Sequence, residues 1–250
     1  MVEVTFLGTA GGRYVVAYQL RASAGTIVKT EKHTILLDPG PGTIVHLAKR
    51  KIKVSSIDTV ILSHIHLDHS GDLNIVVDAI TEGGFKKRGR LILPKQALEE
   101  PVLLPYLRKC VKSIEILTPR STFKGEDFSL RTTCPLKHGV ENYGLIFSFD
   151  SGKTLGFVTD TEYFEELGEE FKGTNVLVIN TVLLKRRKGV LHLCVEDAKK
   201  LVERVKPQVS VLTHFGMTML RANPFKVAKR LSEELGLMVK ACYDGMKLEV

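Results

Sequence analysis

The sequence predicts an α/β protein built in layers from helices and mixed β-sheets, and three observations carry that expectation. Short apolar, β-branched runs bounded by turn residues recur along the chain, as buried strands do. Between several of them the apolar residues switch to helical spacing. At one place two runs are joined by a short turn-rich segment, Phe149-Asp150-Ser151-Gly152-Lys153, which reads as a hairpin. Strands alternating with helices favour parallel neighbours and hairpins give antiparallel ones, so the sheets should be mixed.

Taken in order, the strand-like runs cover residues 2–7, 34–37, 59–62, 91–93, 145–149, 155–158, 176–179, 209–212 and 238–242. Leu73, Val76, Val77 and Ile80 follow i, i+3, i+4, i+7 spacing and predict a helix, as do Ala198, Leu201, Val202 and Val205. A third helix is expected from Pro224 to Leu235, with Asn223 as its cap, Pro224 in its first turn and Gly236 at its end. No repeat, low-complexity segment or Pro/Ser-rich linker divides the chain, so residues 1–250 are expected to form one domain.

Composition narrows the function classes. A 44% hydrophobic and 26% charged chain of 250 residues is too apolar for wholesale disorder. No apolar run approaches the roughly 20 residues that span a bilayer, so no membrane partner is expected. The N-terminus lacks the apolar core of a signal peptide, and the cytoplasm is the expected compartment. The cysteines, Cys110, Cys134, Cys194 and Cys242, are far apart and are read as small buried hydrophobes. Scarce Asn and Gln beside abundant Lys and Glu resemble a heat-adapted composition. The net charge of +8 suits an anionic partner, either nucleic acid or a phosphorylated small molecule.

The stretch that carries chemistry is His64-Ile65-His66-Leu67-Asp68-His69, directly after the apolar run ending at Leu62. Imidazole nitrogen and carboxylate oxygen are the donors that zinc and similar divalent ions favour. Neither a plain helix nor a plain strand aims all four at one point, but a turn at a strand end divides them between two adjacent ions. Three runs also end in Ser or Thr followed at once by a candidate ligand: Ser63-His64, Thr159-Asp160 and Thr213-His214. Sites in layered α/β proteins form where loops converge over the carboxyl ends of strands. His138, before Gly139, is a weaker candidate, and His192 lies just ahead of a predicted helix. His33 and His46 lack such context and are read as surface or incidental residues. Asp38, in Asp38-Pro39-Gly40-Pro41-Gly42, is read as a structural turn residue.

The ordered set His64-x-His66-x-Asp68-His69, His138, Asp160, His214 resembles the metallo-β-lactamase superfamily along essentially the whole chain. The resemblance implies a four-layer αβ/βα sandwich of two mixed β-sheets. It implies one metal held by His64, His66 and His138, a second by Asp68, His69 and His214, and Asp160 bridging the two. Histidine rather than glutamate at position 66 points to the hydrolytic branch rather than the di-iron redox branch. The opening Phe6-Leu7-Gly8-Thr9-Ala10-Gly11-Gly12 and the Thr213-His214-Phe215 stretch are similar to the tRNA 3′-processing endonuclease (RNase Z) and phosphodiesterase group. In that group a histidine matched by His192 helps the leaving oxygen depart. Its acidic partner would fall near Asn180, an amide here, and the gaps around Asp160 hold no long insertion that could serve as a tRNA-gripping arm.

The expected function is metal-dependent hydrolysis, foremost of a phosphodiester, by a dimetal-bridging hydroxide oriented by Asp68, with His192 assisting the leaving group. Two divalent ions are expected, zinc by default, with manganese or iron as alternatives. A thioester or lactone hydrolase at the same ions is the second expectation, and a nucleic-acid-binding protein with structural metals is the third. Substrate is expected to be anionic, a phosphodiester or nucleic acid, and a homodimer is left open. The basic runs Lys86-Lys87-Arg88-Gly89-Arg90 and Lys185-Arg186-Arg187-Lys188 are read as a solvated face and as a segment near the site, respectively.

Overall fold

The structure, a computed structural model, describes residues 1–23 and 25–250. The first half of the chain supplies β1 (Glu3–Phe6), β2 (Thr26–Lys29), β3 (Thr34–Leu37), β4 (Thr59–Ile61), β5 (Arg90–Pro94) and β6 (Ser113–Leu117). Then follow β7 (Thr122–Lys124), β8 (Phe128–Pro135), β9 (Tyr143–Phe149), β10 (Thr154–Val158), β11 (Val176–Asn180), β12 (Val209–Thr213), β13 (Val239–Ala241) and β14 (Lys247–Glu249). Among the described residues these make two seven-stranded sheets, ordered β14-β1-β2-β3-β4-β5-β6 and β13-β12-β11-β10-β9-β8-β7. Both are mixed: β3 to β6 run parallel in the first and β10 to β13 in the second, with antiparallel strands beside them.

The period-2 pleat sorts the apolar side chains into three cores. Val4, Phe6, Ile35, Leu37 and Ile61 point to the second sheet and meet Leu145, Phe147, Phe157, Val178 and Val211 in the central core. Their neighbours Leu36, Val60 and Leu62 point outward, where helices α2 (Thr43–Lys49) and α4 (Leu73–Ile80) cover them. Leu177, Ile179 and Leu212 face the other way, under α7 (Val195–Val205) and α9 (Pro224–Leu235). This is the αβ/βα layering. The remaining helices are the short segments α1 (Arg13–Ala17), α3 (Leu67–Ser70), α5 (Gln96–Glu99), α6 (Leu167–Glu170) and α8 (Met217–Arg221).

Each of the nine sequence-predicted runs overlaps a strand, with residues 2, 7, 62, 238 and 242 falling just outside, and the three predicted helices are α4, α7 and α9. Asn223 accepts from the N–H groups of Phe225 and Lys226, and Gly236 ends α9 in the left-handed region. The 149–153 hairpin joins β9 to β10 with Phe149 N–H on Lys153 O and Gly152 at φ 76°. Two readings need correction. Cys110 and Cys134 are half-buried rather than core residues, and only Cys194 and Cys242 are buried. His33 is not incidental: its Nδ1 lies 3.0 Å from Asp58 Oδ1 and its Nε2 accepts from Glu126 N–H, which ties the β2–β3 turn to the β7–β8 turn.

Candidate metal centre

Strand direction gathers the polar residues. His64 follows β4, His138 follows β8, Asp160 follows β10 and His214 follows β12, all at carboxyl ends. His66 precedes α3, which presents Asp68 and His69 from a single turn. His192 lies on the segment between β11 and α7. Asp38 and His214 both have left-handed backbones, φ 50° and 58°, a conformation of non-glycine residues that clusters at functional sites.

The side chains converge in two groups with one shared carboxylate. Donor atoms of His64, His66 and His138 lie within 4.8 Å of one another, and so do those of Asp68, His69, Asp160 and His214. In the first group His66 Nδ1 is 3.0 Å from His138 Nε2. In the second, His69 Nε2 is 3.3 Å from His214 Nε2, and His214 Nε2 is 3.5 Å from Asp68 Oδ2. Asp160 Oδ2 stands between them, 3.3 Å from His214 Nε2, 3.5 Å from His69 Nε2 and 3.6 Å from His138 Nε2. It is also 3.6 Å from His192 Nδ1, so His192 turns a nitrogen into the cluster as a further donor.

A surrounding network fixes which nitrogens keep lone pairs. Ser63 Oγ donates its one proton to Asp38 Oδ2 at 2.7 Å, so at 3.0 Å from His64 Nδ1 it can only accept. His64 is therefore protonated on Nδ1, and its buried Nε2 faces the cluster with no hydrogen-bond partner. His138 Nδ1 donates to Leu191 O at 2.9 Å, leaving Nε2 as the open donor. Asp38 Oδ2 likewise receives His69 Nδ1 at 2.9 Å, while its Oδ1 accepts from Ser63 N–H. Asn180 Nδ2 donates to Asp160 Oδ1 at 2.8 Å, and Asn142 Nδ2 donates to the Asp160 carbonyl at 2.6 Å. Partners of this kind orient metal-binding imidazoles and carboxylates. Two buried imidazole nitrogens without a partner, His64 Nε2 and His192 Nδ1, set with four further imidazoles around the Asp160 carboxylate, make a donor set that fits divalent ions.

Burial and mutual charge separate the two groups electrostatically. Burial, with a neighbouring histidine charge, holds His64 well below the ordinary imidazole range and lowers His66. Burial also lowers His138 and His192, against the pull of Asp160. In the second group burial opposes the charged forms, but carboxylates win. Asp38 and Asp68 hold His69 well above its usual value, and Asp160 raises His214 to about 9. The same contacts hold Asp160 and Asp68 below the usual carboxylate range despite their burial.

Sequence reasoning missed the supporting residues. Asp38 is a structural turn residue as read, but it also grips His69 and Ser63. Its signal was a carboxylate placed at a strand end beside the glycines. Asn180 contacts Asp160 rather than His192. Thr159 Oγ1 donates to Tyr143 O at 2.9 Å, with Asn142 Oδ1 at 3.1 Å beside it, so the hydroxyl-before-ligand pattern anchors strand ends here and at Ser63. The basic run before His192 is partly tethered, with Arg186 paired to the buried Asp197.

The family profile described as "Beta-lactamase superfamily domain" matches residues 33–215, which hold all seven candidate ligands. The chain belongs to the metallo-β-lactamase superfamily. The YhfI protein of Bacillus subtilis, a metallo-β-lactamase fold protein, superposes with a TM-score of 0.85 at 19% identity, over 100% of this chain and 99% of that one. An uncharacterized protein of Methanocaldococcus jannaschii is 32% identical, covering 100% of this chain and 95% of its own length. A ribonuclease Z of Borrelia recurrentis is 24% identical over 310 aligned positions, covering 99% of this chain and 96% of that enzyme. Those positions outnumber the 250 residues of this chain, so that enzyme carries segments this superfamily member lacks. As a metallo-β-lactamase superfamily hydrolase, the protein is an enzyme whose His/Asp cluster is suited to metal ions. No helix among the described residues is long and apolar enough to cross a membrane.

Proposed function

We propose that this hydrolase cleaves phosphodiesters at a centre of two divalent ions, zinc foremost. The observation that carries the reading is Asp160 Oδ2, which lies 3.3–3.6 Å from imidazole nitrogens of both ligand groups. His64, His66 and His138 would hold one ion, Asp68, His69 and His214 the other, and Asp160 both. Two such ions supply Lewis-acid polarisation of a phosphoryl oxygen and lower the pKa of water from 15.7 towards about 7.

The chain's own residues do the rest. The side chain of Asp68 is 21% exposed against 2% for Asp160, so of the two carboxylates in the cluster it is the one open to substrate and would accept the proton of the attacking water. His192 is half-buried at the rim and would stabilise the leaving oxygen by a hydrogen bond or protonate it. The likeness to a ribonuclease Z over 99% of the chain favours phosphodiesters over thioesters or lactones, and the segments missing relative to that enzyme favour a less elaborate substrate than a gripped tRNA.

The test is a substrate screen with zinc or manganese added, comparing bis(p-nitrophenyl) phosphate with thioester, lactone and β-lactam substrates. Turnover confined to the carbonyl substrates would overturn the phosphodiester reading. Tight, steeply salt-dependent nucleic-acid binding with no hydrolysis of any substrate would instead mark the metals as structural.

A further inference from the structure

We propose that the end of the first sheet opposite the metal centre is a docking surface for single-stranded nucleic acid, with Phe85 stacking on an unpaired base and Lys87, Lys109 and Lys112 holding flanking phosphates. It rests on the phosphodiester reading for its use in catalysis, though not for the binding itself.

Phe85 is 93% exposed, a large apolar ring fully in solvent. It is held there by an ordered turn after α4. Gly83 N–H bonds Asp78 O at 2.9 Å and Lys86 N–H bonds Thr81 O at 2.9 Å, while Gly83 and Gly84 take left-handed φ of 68° and 85°. The segment before β6 lies against this turn. A Cβ on Gly84 would sit 3.0 Å from Cys110 Sγ, and Lys112 N–H bonds Gly89 O at 2.9 Å. That juxtaposition sets Tyr106, 62% exposed, and the exposed Lys109 and Lys112 beside the Phe85 turn.

The cations divide into engaged and free. Arg90 forks onto Glu115, Arg88 donates to Ile57 O and Lys86 pairs with Glu82. Lys87, Lys109 and Lys112 are exposed and have no acidic partner among the described residues. Unpaired cations around exposed aromatic rings match a strand that offers phosphates and stackable bases in alternation. The turn leads into the start of β5 and Lys112 into the start of β6, whereas the metal ligands follow the far end of the parallel β4. The five residues of β5 separate the two ends by about 17 Å. A dinucleotide at the metals would not reach Phe85; a longer strand would.

Binding is read by fluorescence anisotropy of the intact, metal-loaded protein with a labelled phosphorothioate oligouridine, which keeps the charge and resists cleavage. Phe85→Ala should weaken binding roughly 5- to 150-fold, the scale of one base–aromatic stack, and Phe85→Tyr should retain it. Replacing Lys87, Lys109 and Lys112 together by Gln should flatten the salt slope by about 2, at roughly 0.7 per single-strand phosphate contact. Turnover of bis(p-nitrophenyl) phosphate should be unchanged in all variants. Equal oligouridine affinity for wild type and Phe85→Ala overturns the surface, and so does Phe85-dependent binding to phosphatidylserine vesicles without oligouridine binding. The two readings fail separately. Lost phosphodiester turnover with Phe85-dependent binding intact removes only the enzymatic reading, and the converse removes only this surface.

Discussion

The Asn180 side-chain amide donates to Asp160 Oδ1 at 2.8 Å, on the face of the carboxylate turned away from the histidines. Oδ1 is thereby held by the amide, and Oδ2 lies 3.3–3.6 Å from nitrogens of His69, His138, His192 and His214. Asp160 is 2% exposed, and among the described residues this amide is the one donor to its Oδ1. Asn180→Ala should therefore weaken metal binding by roughly 10- to 100-fold, the usual cost of removing such a partner. Asn180→Asp should do worse, because it sets a second carboxylate against a buried one. Competition with a chromophoric chelator measures both, and wild-type affinity in Asn180→Asp would remove the orienting role.

His192 has two available roles, and one substitution separates them. Its Nδ1 is buried, lacks a hydrogen-bond partner and lies 3.6 Å from Asp160 Oδ2. If His192 serves the leaving oxygen, His192→Ala keeps both ions and slows turnover by roughly 10²–10⁴-fold. Elemental analysis of the purified variant decides the matter. A loss of metal parallel to the loss of activity would make His192 a ligand instead.

The opposite shifts of the two histidine groups predict different proton release on metal loading. Metals bind neutral imidazole. His64, His66 and His138 are held below their ordinary value, so at neutral pH their lone pairs are already free. His69 and His214 are held above theirs and keep protons that a metal must displace. In the metal-free fold the His214–Asp160 contact is fully stabilising below about pH 6.5 and is lost as pH rises through about 9. Raising pH across that window should therefore strengthen binding at the second group more than at the first. Calorimetric titrations in buffers of different ionisation heat count the protons, and equal release at both steps would contradict the assignment.

What could be read in the sequence followed from how each residue is used. Strands buried on both faces are continuous apolar runs, so Val176, Leu177, Val178 and Ile179 announced β11. The β8 segment Phe-Ser-Leu-Arg-Thr-Thr-Cys-Pro alternates core and solvent and turns polar where Thr132 and Thr133 bond neighbouring backbone, so it showed no run. The short β2, β7 and β14 offer too few apolar positions to stand out. The candidate ligands were visible because histidine is rare and its spacing odd. Their orienting partners were not, because Asp38, Ser63, Asn142 and Asn180 are ordinary turn and strand-end residues until the fold sets them beside an imidazole or a carboxylate.

The glycine-rich opening tests how closely that fold holds a candidate ligand. Gly11 N–H donates to Phe215 O at 3.0 Å and Phe215 N–H to Thr9 O at 2.8 Å, which presses the 8–12 loop onto His214. A Cβ on Gly11 would lie 2.1 Å from His214 O and 2.9 Å from its Cδ2, a clash with backbone that no rotamer relieves. Gly12 offers a control at the next position. Its φ of 73° with ψ of 148° is a region essentially reserved for glycine and strains Ala by roughly 1–3 kcal/mol, but its nearest neighbour would be Val182 at 3.8 Å, away from the ligands. Gly11→Ala should lower metal content and thermal stability together, because His214 must move for the loop to close. Gly12→Ala should lower Tm while keeping its full metal content. If Gly11→Ala loads metal as fully as Gly12→Ala, the loop is not what positions His214, and its left-handed backbone must be held by β12 alone.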